Sequence, residues 1–273
     1  MKKSNALLLS TPYIVWMVVF TLIPLGVVGY YALTDPQTGA FSFGNLKELS
    51  IYMPVLWDSI LYSLVSAFIC LLLGYPVAYY IAQCKPVTQK LLYMLVMLPM
   101  CMSFLLRTLA WVALLQDTGI INNLLELIGI GRVRLIRTPG AVILGMVYNY
   151  LPYMILPLYA IIVKIDNRLI EAAEDLGCNG LQTFIRVVLP LSMPGILSGI
   201  TMVFVPAVST FYISQKLGGT DTVLIGDVIE RQFKQGNNAN LGAALSLLLM
   251  ILVFICTGIM NRLGADEEGG VVV

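Results

Sequence analysis

Six long apolar runs, separated by shorter polar segments, dominate the pattern of hydrophobic and polar positions along the chain. A helix rises about 1.5 Å per residue and the hydrocarbon core of a bilayer is about 30 Å thick, so about 20 apolar residues are enough to cross it. The pattern predicts an all-α, polytopic membrane protein that forms a single transmembrane domain over residues 1–273. The six predicted transmembrane helices cover roughly residues 7–33, 58–82, 91–115, 141–163, 193–215 and 242–261.

The composition supports this assignment. The chain has 273 residues, of which 59% are hydrophobic and only 11% are charged, whereas a soluble domain is usually about a quarter charged. The net charge of +1 gives no reason to expect nucleic acid as a partner. The first run follows Lys2 and Lys3 as a signal peptide would, but it is too long and lacks a small-x-small cleavage site, so we expect a retained span.

The polar residues offer little for catalysis or metal binding. There is no histidine, and the cysteines are scattered without a C-x-x-C pair, so we predict neither a metal site nor a disulfide framework and interpret the cysteines as packing residues. The phosphate-binding sequence G-x-x-x-x-G-K-[ST] is also absent. We therefore expect no catalytic residues and no ATPase site within this chain. The cysteines are Cys70, Cys84, Cys101, Cys178 and Cys256.

The orientation in the membrane rests on charge. With an even number of spans both termini lie on one side, and the basic residues divide almost equally between the two sides. Lys2, Lys3, Lys85 and Lys90 all lie close to span ends on the same side, and the positive-inside rule places that side in the cytoplasm. We expect cytoplasmic termini and a cytoplasmic loop over residues 164–192.

This loop has its own helical pattern. Asp166 or Asn167 can cap a first helix, and Gly177 stands where a helix ends in a left-handed residue. Asn179 and Gln182 have the spacing of a capping box for a second helix. Two short amphipathic helices joined by a glycine turn could lie against lipid headgroups or bind a protein, and the pattern alone leaves both open.

A spaced motif within the loop resembles the EAA loop of ATP-binding cassette (ABC) importer permeases. The one departure from the family pattern is Val187, where isoleucine is commonest. The resemblance implies the type I importer permease fold in a bacterial inner membrane, with a coupling loop that docks on separate ATPase subunits, which bind ATP and Mg²⁺. The matching residues are Glu171, Ala172, Ala173, Gly177, Leu189 and Pro190.

The resemblance extends over nearly the whole chain and is most specific to the polyamine (spermidine/putrescine) branch of that family. It implies a polyamine substrate, a second homologous permease, a pair of ATPases and an external substrate-binding protein. A permease for another small cation or for an oxyanion remains the alternative. The matching stretches are 73–82, 107–115, 138–159, 171–196, 211–219, 224–233 and 242–246.

The substrate pathway is predicted from aromatic and hydroxyl side chains, because no Asp or Glu lies deep in a predicted span. A cation over a tyrosine or tryptophan ring gains about 0.5–2 kcal/mol. We expect one wall of the pathway here, with carboxylates supplied by the other subunits, although interfacial tyrosines also form ordinary membrane belts. The candidates are Trp111, Tyr148, Tyr150, Tyr153, Ser209, Thr210, Phe211 and Tyr212.

Two further features leave alternatives open. Arg107 lies within the third apolar run, so it either pairs inside the bundle, reaches out to the interface or serves as a gate. The segment from Gly218 to Asn240 carries Asp221, Asp227 and Glu230, and forms either an outer surface for the binding protein or an ordinary solvated loop.

Two rival classes fit less well. An ion-coupled secondary transporter would be expected to show internal duplication and acidic residues at the midplane. A structural membrane protein would not need the spaced motif between Glu171 and Pro190.

Overall fold

The computed structural model describes residues 11–35, 39–42, 44–220, 222–234 and 238–268, and its elements are helical. Over this part of the chain the only β-type pairing is an isolated bridge between Thr34 and Phe41. The predicted all-α class is therefore confirmed. The helices are α1 (Thr11–Ala32), α2 (Gly44–Gln83), α3 (Pro86–Met97), α4 (Phe104–Leu115), α5 (Ile120–Leu127), α6 (Pro139–Ile162), α7 (Asn167–Asp175), α8 (Gly180–Leu191), α9 (Met193–Val208), α10 (Ile225–Lys234) and α11 (Ala239–Glu268).

Among the described residues, five helical stretches are long and apolar enough to cross a membrane, and a sixth is obtained if the bent pair of α8 and α9 is taken as one span. These two helices meet at 64°. Residues 7–10 of the first predicted run lie outside the described residues. These stretches are Thr11–Ala32, Glu48–Gln83, Phe104–Leu127, Pro139–Ile162 and Ala239–Met260, and the third of them includes the turn over residues 116–119 that separates α4 from α5.

The third predicted run, residues 91–115, is divided between two helices. α3 continues into a 3₁₀ turn over Leu98–Cys101, and Met102 and Ser103 are extended before α4 begins. Pro99 lacks the N–H group that a continuous α-helix would use, which accounts for the change of helix type at this point. The long apolar stretch therefore begins at Phe104 and continues to Leu127.

The chain separates into two compact units. The first comprises residues 1–54 and 228–252. Within it the Asn240 side chain donates a hydrogen bond to the Thr34 carbonyl oxygen at 2.6 Å, and the Asn45 side chain donates to the same oxygen at 2.9 Å. These buried amide contacts join the end of α1 to α2 and α11. They also satisfy the Thr34 carbonyl oxygen, which would be costly to leave unpaired in an apolar interior.

The second unit comprises residues 55–227 and 253–273, and its core is built on α6 and α9. Gly195 and Gly199 lie one turn apart on α9 and allow close contact with α6. A Cβ atom at Gly199 would lie 2.6 Å from Met154 Sδ, and one at Gly195 would lie 3.2 Å from the Pro157 carbonyl oxygen. Small residues at this spacing are typical of tightly packed membrane helices, so α6 and α9 form a rigid pair.

Candidate functional site

The loop between α6 and α9 forms the two short helices that the sequence predicts. Asp166 Oδ1 accepts a hydrogen bond from the Arg168 backbone N–H at 3.0 Å and caps α7. Gly177 follows the helix with a φ of +86°, a left-handed conformation that glycine adopts at little cost. Both local predictions are confirmed.

The second helix, α8, begins with the predicted capping box. The Asn179 backbone N–H donates to Gln182 Oε1 at 3.0 Å, and the Gln182 backbone N–H donates to Asn179 Oδ1 at 2.9 Å. This reciprocal pair satisfies two N–H groups that would otherwise lack helical acceptors. The turn between α7 and α8 is therefore defined by its own side chains, without help from distant elements.

The exposed surface of this loop carries apolar residues beside the acidic residues Glu171, Glu174 and Asp175. Glu171 and Ala172 are exposed, whereas Ala173 faces inward and is only 8% exposed. Leu176 is 87% exposed and Leu181 is 68% exposed. We call Glu171, Ala172, Leu176 and Leu181 the outer face. Exposed leucines at these positions mark a protein or membrane contact. Of the remaining motif residues, Leu189 is half-buried and Pro190 is exposed.

The inner side of the loop is held by α2. The rings of Tyr75 and Tyr79 contact Phe184 edge-on, with centroids 5.4 and 5.8 Å apart. The Tyr75 hydroxyl is hydrogen-bonded to Ser192 Oγ at 2.7 Å, at the residue between α8 and α9 where the chain bends. The sequence analysis missed Tyr75 and Ser192, although two prolines flanking Ser192 indicate a helix break.

A cavity of about 540 Å³ separates the start of α7 from the end of α2 and the start of α3. Glu171 is the only charged residue that lines it, and Tyr79, Gln83, Gln89 and Asn167 supply further polar atoms. The cavity leaves room for a side chain of another subunit beside Glu171.

The predicted pathway residues fall into neighbouring aromatic groups. Trp111 contacts Tyr148 edge-on with centroids 5.3 Å apart. Tyr212 lies 6.3 Å from Phe104, a residue that the sequence analysis did not select. The Lys216 ammonium is 5.8 Å from the centre of the Tyr212 ring, within the range of a cation–π contact. The Tyr212 ring is therefore placed to interact with a cation.

A third group lies where α9 ends. Tyr150 is buried, and its hydroxyl donates to the Pro206 carbonyl oxygen at 3.3 Å. Its ring centroid is 6.3 Å from that of Tyr153, and the buried Thr210 follows the end of α9. α9 stops at Val208, so the last carbonyl groups of the helix point into this polar region.

Ser209 and Phe211 are placed differently from these groups. Both are exposed, and the Ser209 hydroxyl donates back to the Val205 carbonyl oxygen at 3.2 Å. The chain is tightly packed where α9 ends, because a Cβ atom added at Gly226 would lie 2.5 Å from the Thr210 carbonyl oxygen. The first turn of α10 therefore packs closely against the backbone at the helix break.

Arg107 is buried in α4 and is only 6% exposed. Its Nε and Nη1 atoms have no hydrogen-bond partner within the described part of the chain. No carboxylate among the described residues forms an ion pair with it. Its burial argues against extension to the membrane interface, and the role of Arg107 stays a prediction.

The acidic segment after Gly218 does not form one acidic surface. Asp227 is only 2% exposed, and its Oδ2 accepts a hydrogen bond from the Leu224 backbone N–H at 2.9 Å, which holds the start of α10. Glu230 pairs with Lys234 at 2.6 Å. Asp221 lies outside the described residues. The interpretation of Asp227 as a surface residue is wrong, because the residue is buried and its carboxylate caps the start of α10.

Residues 71–265, which contain α3 to α10, the predicted pathway residues and the loop between α6 and α9, match the family described as binding-protein-dependent transport system inner membrane component. The match covers well over half of the chain, so the protein belongs to this family of multi-pass inner-membrane permeases.

Two groups of relatives are close in sequence. The chain is 40% identical over 253 residues to the spermidine/putrescine transport system permease protein PotB of Haemophilus influenzae, covering 88% of each protein. It is 38% identical over 247 residues to PotB of Escherichia coli, covering 87% of this chain and 90% of that protein. The inner membrane ABC transporter permease protein YdcU of Escherichia coli is 30% identical over 284 residues, covering 96% and 90%.

Solved structures share the fold. A bacterial ABC transporter involved in the import of the acidic polysaccharide alginate superposes with a TM-score of 0.76 over 97% of this chain and 96% of that one, at 20% identity. The MetNI methionine ABC transporter superposes with a TM-score of 0.59 over 81% of this chain and 98% of that one, at 18% identity. The predicted type I importer permease fold is confirmed.

Proposed function

We propose that this chain is the permease subunit of an ATP-driven importer for polyamines such as spermidine and putrescine. The observation that carries the proposal is the solvent-facing loop between α6 and α9, with its spaced motif and apolar outer face. The substrate class is supported by relatives at 38–40% identity that are named as spermidine/putrescine permeases.

The loop is built to transmit movement. It connects two helices that pack as a rigid pair, and the same pair carries Tyr150 and Pro206 at the helix break. A displacement of the loop by an ATPase would therefore move the break as part of one body. ATP and Mg²⁺ are bound by the ATPase subunits in this proposal. This chain contributes the coupling loop, the pair of helices that the loop moves and one wall of the pathway.

Polyamine recognition would rely on rings and carbonyl groups within this subunit. The Lys216–Tyr212 contact shows the geometry that an ammonium group can adopt on these rings. The end of α9 adds the negative end of a helix dipole, which favours a cation. A second homologous permease and an external binding protein complete the assembly and supply the carboxylates.

The unpaired guanidinium of Arg107 favours a second candidate, an importer for an oxyanion, because a buried cation close to the pathway would attract a negatively charged substrate.

The proposed topology places the coupling loop in the cytoplasm and α5 outside. Asn179 and Asn123 are both exposed, so each accepts a cysteine without disturbing the core. In a variant without the native cysteines, we expect an impermeant maleimide to label a cysteine at Asn123 in intact cells and one at Asn179 only after the membrane is opened. Labelling of both positions from outside would contradict this orientation.

The cargo assignment can be tested in a reconstituted complex of permeases, ATPase and binding protein. We expect putrescine or spermidine with the binding protein to stimulate ATP hydrolysis. Tyr212→Ala should lower uptake by about two- to thirtyfold, because one cation–π contact is worth about 0.5–2 kcal/mol. Phe211→Ala should lower it less, since that ring is exposed.

The matched control is Tyr80→Ala, which removes an exposed tyrosine from α2, outside the pathway groups. It should leave uptake near the normal level. ATP hydrolysis that ignores polyamines but responds to an oxyanion and its binding protein would refute the cargo assignment and leave the permease assignment standing.

A further inference from the structure

The bend between α8 and α9 is bonded to a third helix. Ser192 lies at the bend, where the two helices meet at 64°, and it is fully buried. Its Oγ atom donates to the Leu189 carbonyl oxygen at 2.9 Å and also lies 2.7 Å from the hydroxyl oxygen of Tyr75. A serine hydroxyl has one hydrogen, so Tyr75 is the donor in the second bond. The tyrosine of α2 is therefore bonded to the bend itself.

The same tyrosine also holds the body of α8. Its ring contacts Phe184 edge-on with centroids 5.4 Å apart, and Phe184 precedes Ser192 by eight positions, or about two helical turns. Tyr75 is only 7% exposed, so its ring and its hydroxyl are both enclosed. One side chain of α2 thus constrains α8 at two points, which fix the direction of α8 relative to α9.

The backbone of the bend does not hold this angle by a regular helical ladder. Pro190 and Pro194 lack N–H groups, so Pro194 cannot donate to the carbonyl oxygen four positions before it. A phenylalanine at position 75 would keep the contact with Phe184, and Ser192 would keep its bond to Leu189. Neither packing nor the pairing of Ser192 therefore requires the tyrosine hydroxyl.

We propose that Tyr75 is a positioning residue for energy coupling, because its hydroxyl fixes the angle between α8 and α9. When the loop is displaced, a fixed bend passes the movement on to α9, whereas a bend that flexes would absorb it. ATP hydrolysis would then continue without moving the far end of α9. This inference rests on the proposed function, since it assumes that an ATPase displaces the loop.

The first test measures import and ATP hydrolysis in the same proteoliposomes, with the complete transporter, the binding protein and putrescine. Tyr75→Phe should import about two- to tenfold less putrescine per ATP hydrolysed, the range that one neutral hydrogen bond covers. Its affinity for the ATPase and its unfolding temperature should stay close to those of the wild type. Ser192→Ala should lower the ratio similarly, and the double variant should be no worse than either single variant, because all three lose the same bond.

The second test observes the bend directly and needs no substrate. Ile185 on α8 and Met202 on α9 are 51% and 52% exposed, so both accept a nitroxide label in a variant without the native cysteines. Pulsed electron paramagnetic resonance on the purified complex should give one narrow label distance with Tyr75 and a broadened distribution in Tyr75→Phe. The matched control is Tyr62→Phe, which removes a hydroxyl from a half-buried tyrosine of the same helix and should change neither readout.

The readouts separate positioning from a purely structural role. An unchanged import ratio in Tyr75→Phe would overturn the proposal, and so would a loss of the same size in Tyr62→Phe. A lower unfolding temperature with an unchanged label distance would show that the bond only stabilises the fold, which also overturns it. A wild-type complex that imports no putrescine would reject the proposed cargo, while the label distances would still decide whether Tyr75 fixes the bend.

Discussion

Replacing Gly177 by valine is expected to abolish most ATP-dependent uptake while leaving the membrane helices assembled. The residue has a φ of +86° and ends α7, where its N–H donates to the Glu174 carbonyl oxygen at 2.9 Å. A β-branched residue in this conformation costs about 1–3 kcal/mol, which the turn can avoid only by changing the angle between α7 and α8. Uptake and polyamine-stimulated ATP hydrolysis by the purified complex would measure the loss, expected to be about tenfold or more because 1.4 kcal/mol corresponds to a factor of ten.

Gly180 offers a close control for Gly177. Both glycines are exposed in the same loop, and a Cβ atom added at either position would meet open space, but only Gly177 has a positive φ. Gly180→Val should therefore retain most of the uptake. An equal loss of uptake in both variants would show that coupling is sensitive to side-chain bulk in the loop and not to the backbone turn. Normal uptake in Gly177→Val would remove the loop from the coupling mechanism.

The second large effect is expected at the outer face. Leu176 is 87% exposed, so Leu176→Asp should not disturb the fold of the isolated permease. If the leucine fills a groove on the ATPase, as anchoring side chains at protein interfaces do, its loss should weaken ATPase binding by about 2 kcal/mol, or roughly thirtyfold. Charge reversal in Glu171→Lys should act in the same direction. The measurement is the affinity of the detergent-solubilised permease pair for the ATPase.

Leu127 provides the comparison for Leu176. It is 83% exposed in α5, on the side of the membrane that we propose to be external. Leu127→Asp should leave ATPase affinity unchanged, because the ATPase does not reach that surface. Equal weakening in both variants would point to general destabilisation, and full affinity in Leu176→Asp together with Glu171→Lys would place the docking surface elsewhere.

Local features of the coupling loop follow directly from its residues. The caps at Asp166 and Asn179 and the left-handed Gly177 all appear where the sequence predicts them. Each depends on side-chain and backbone groups within about four positions of one another, so the short segment contains all the information needed. The outward direction of Leu176 follows less directly, since both alternatives for the loop require an apolar face.

The pathway is predictable as a set of residue types but not as an arrangement. Trp111, Tyr148 and Tyr150 are candidates because rings bind cations, yet their grouping depends on how α4, α6 and α9 pack. Phe104 is not predictable as a member, because nothing in its neighbourhood along the chain places it beside Tyr212. The pattern likewise predicts a continuous third apolar run, whereas the break before α4 separates Phe104 from α3.

By itself, the sequence determined the helical class, the number of apolar runs and the internal geometry of the coupling loop, because membrane thickness, helix periodicity and capping act over short distances along the chain. Only the tertiary structure decided which polar groups are buried and what they contact. Tyr75 and Ser192 are 117 positions apart when they form the hydrogen bond at the bend. Arg107 likewise lies in an apolar run of the sequence, and only the packed structure shows that it is buried. Burial is the sum of contacts made by all neighbouring elements, so it is decided only when the helices pack and water is excluded between them.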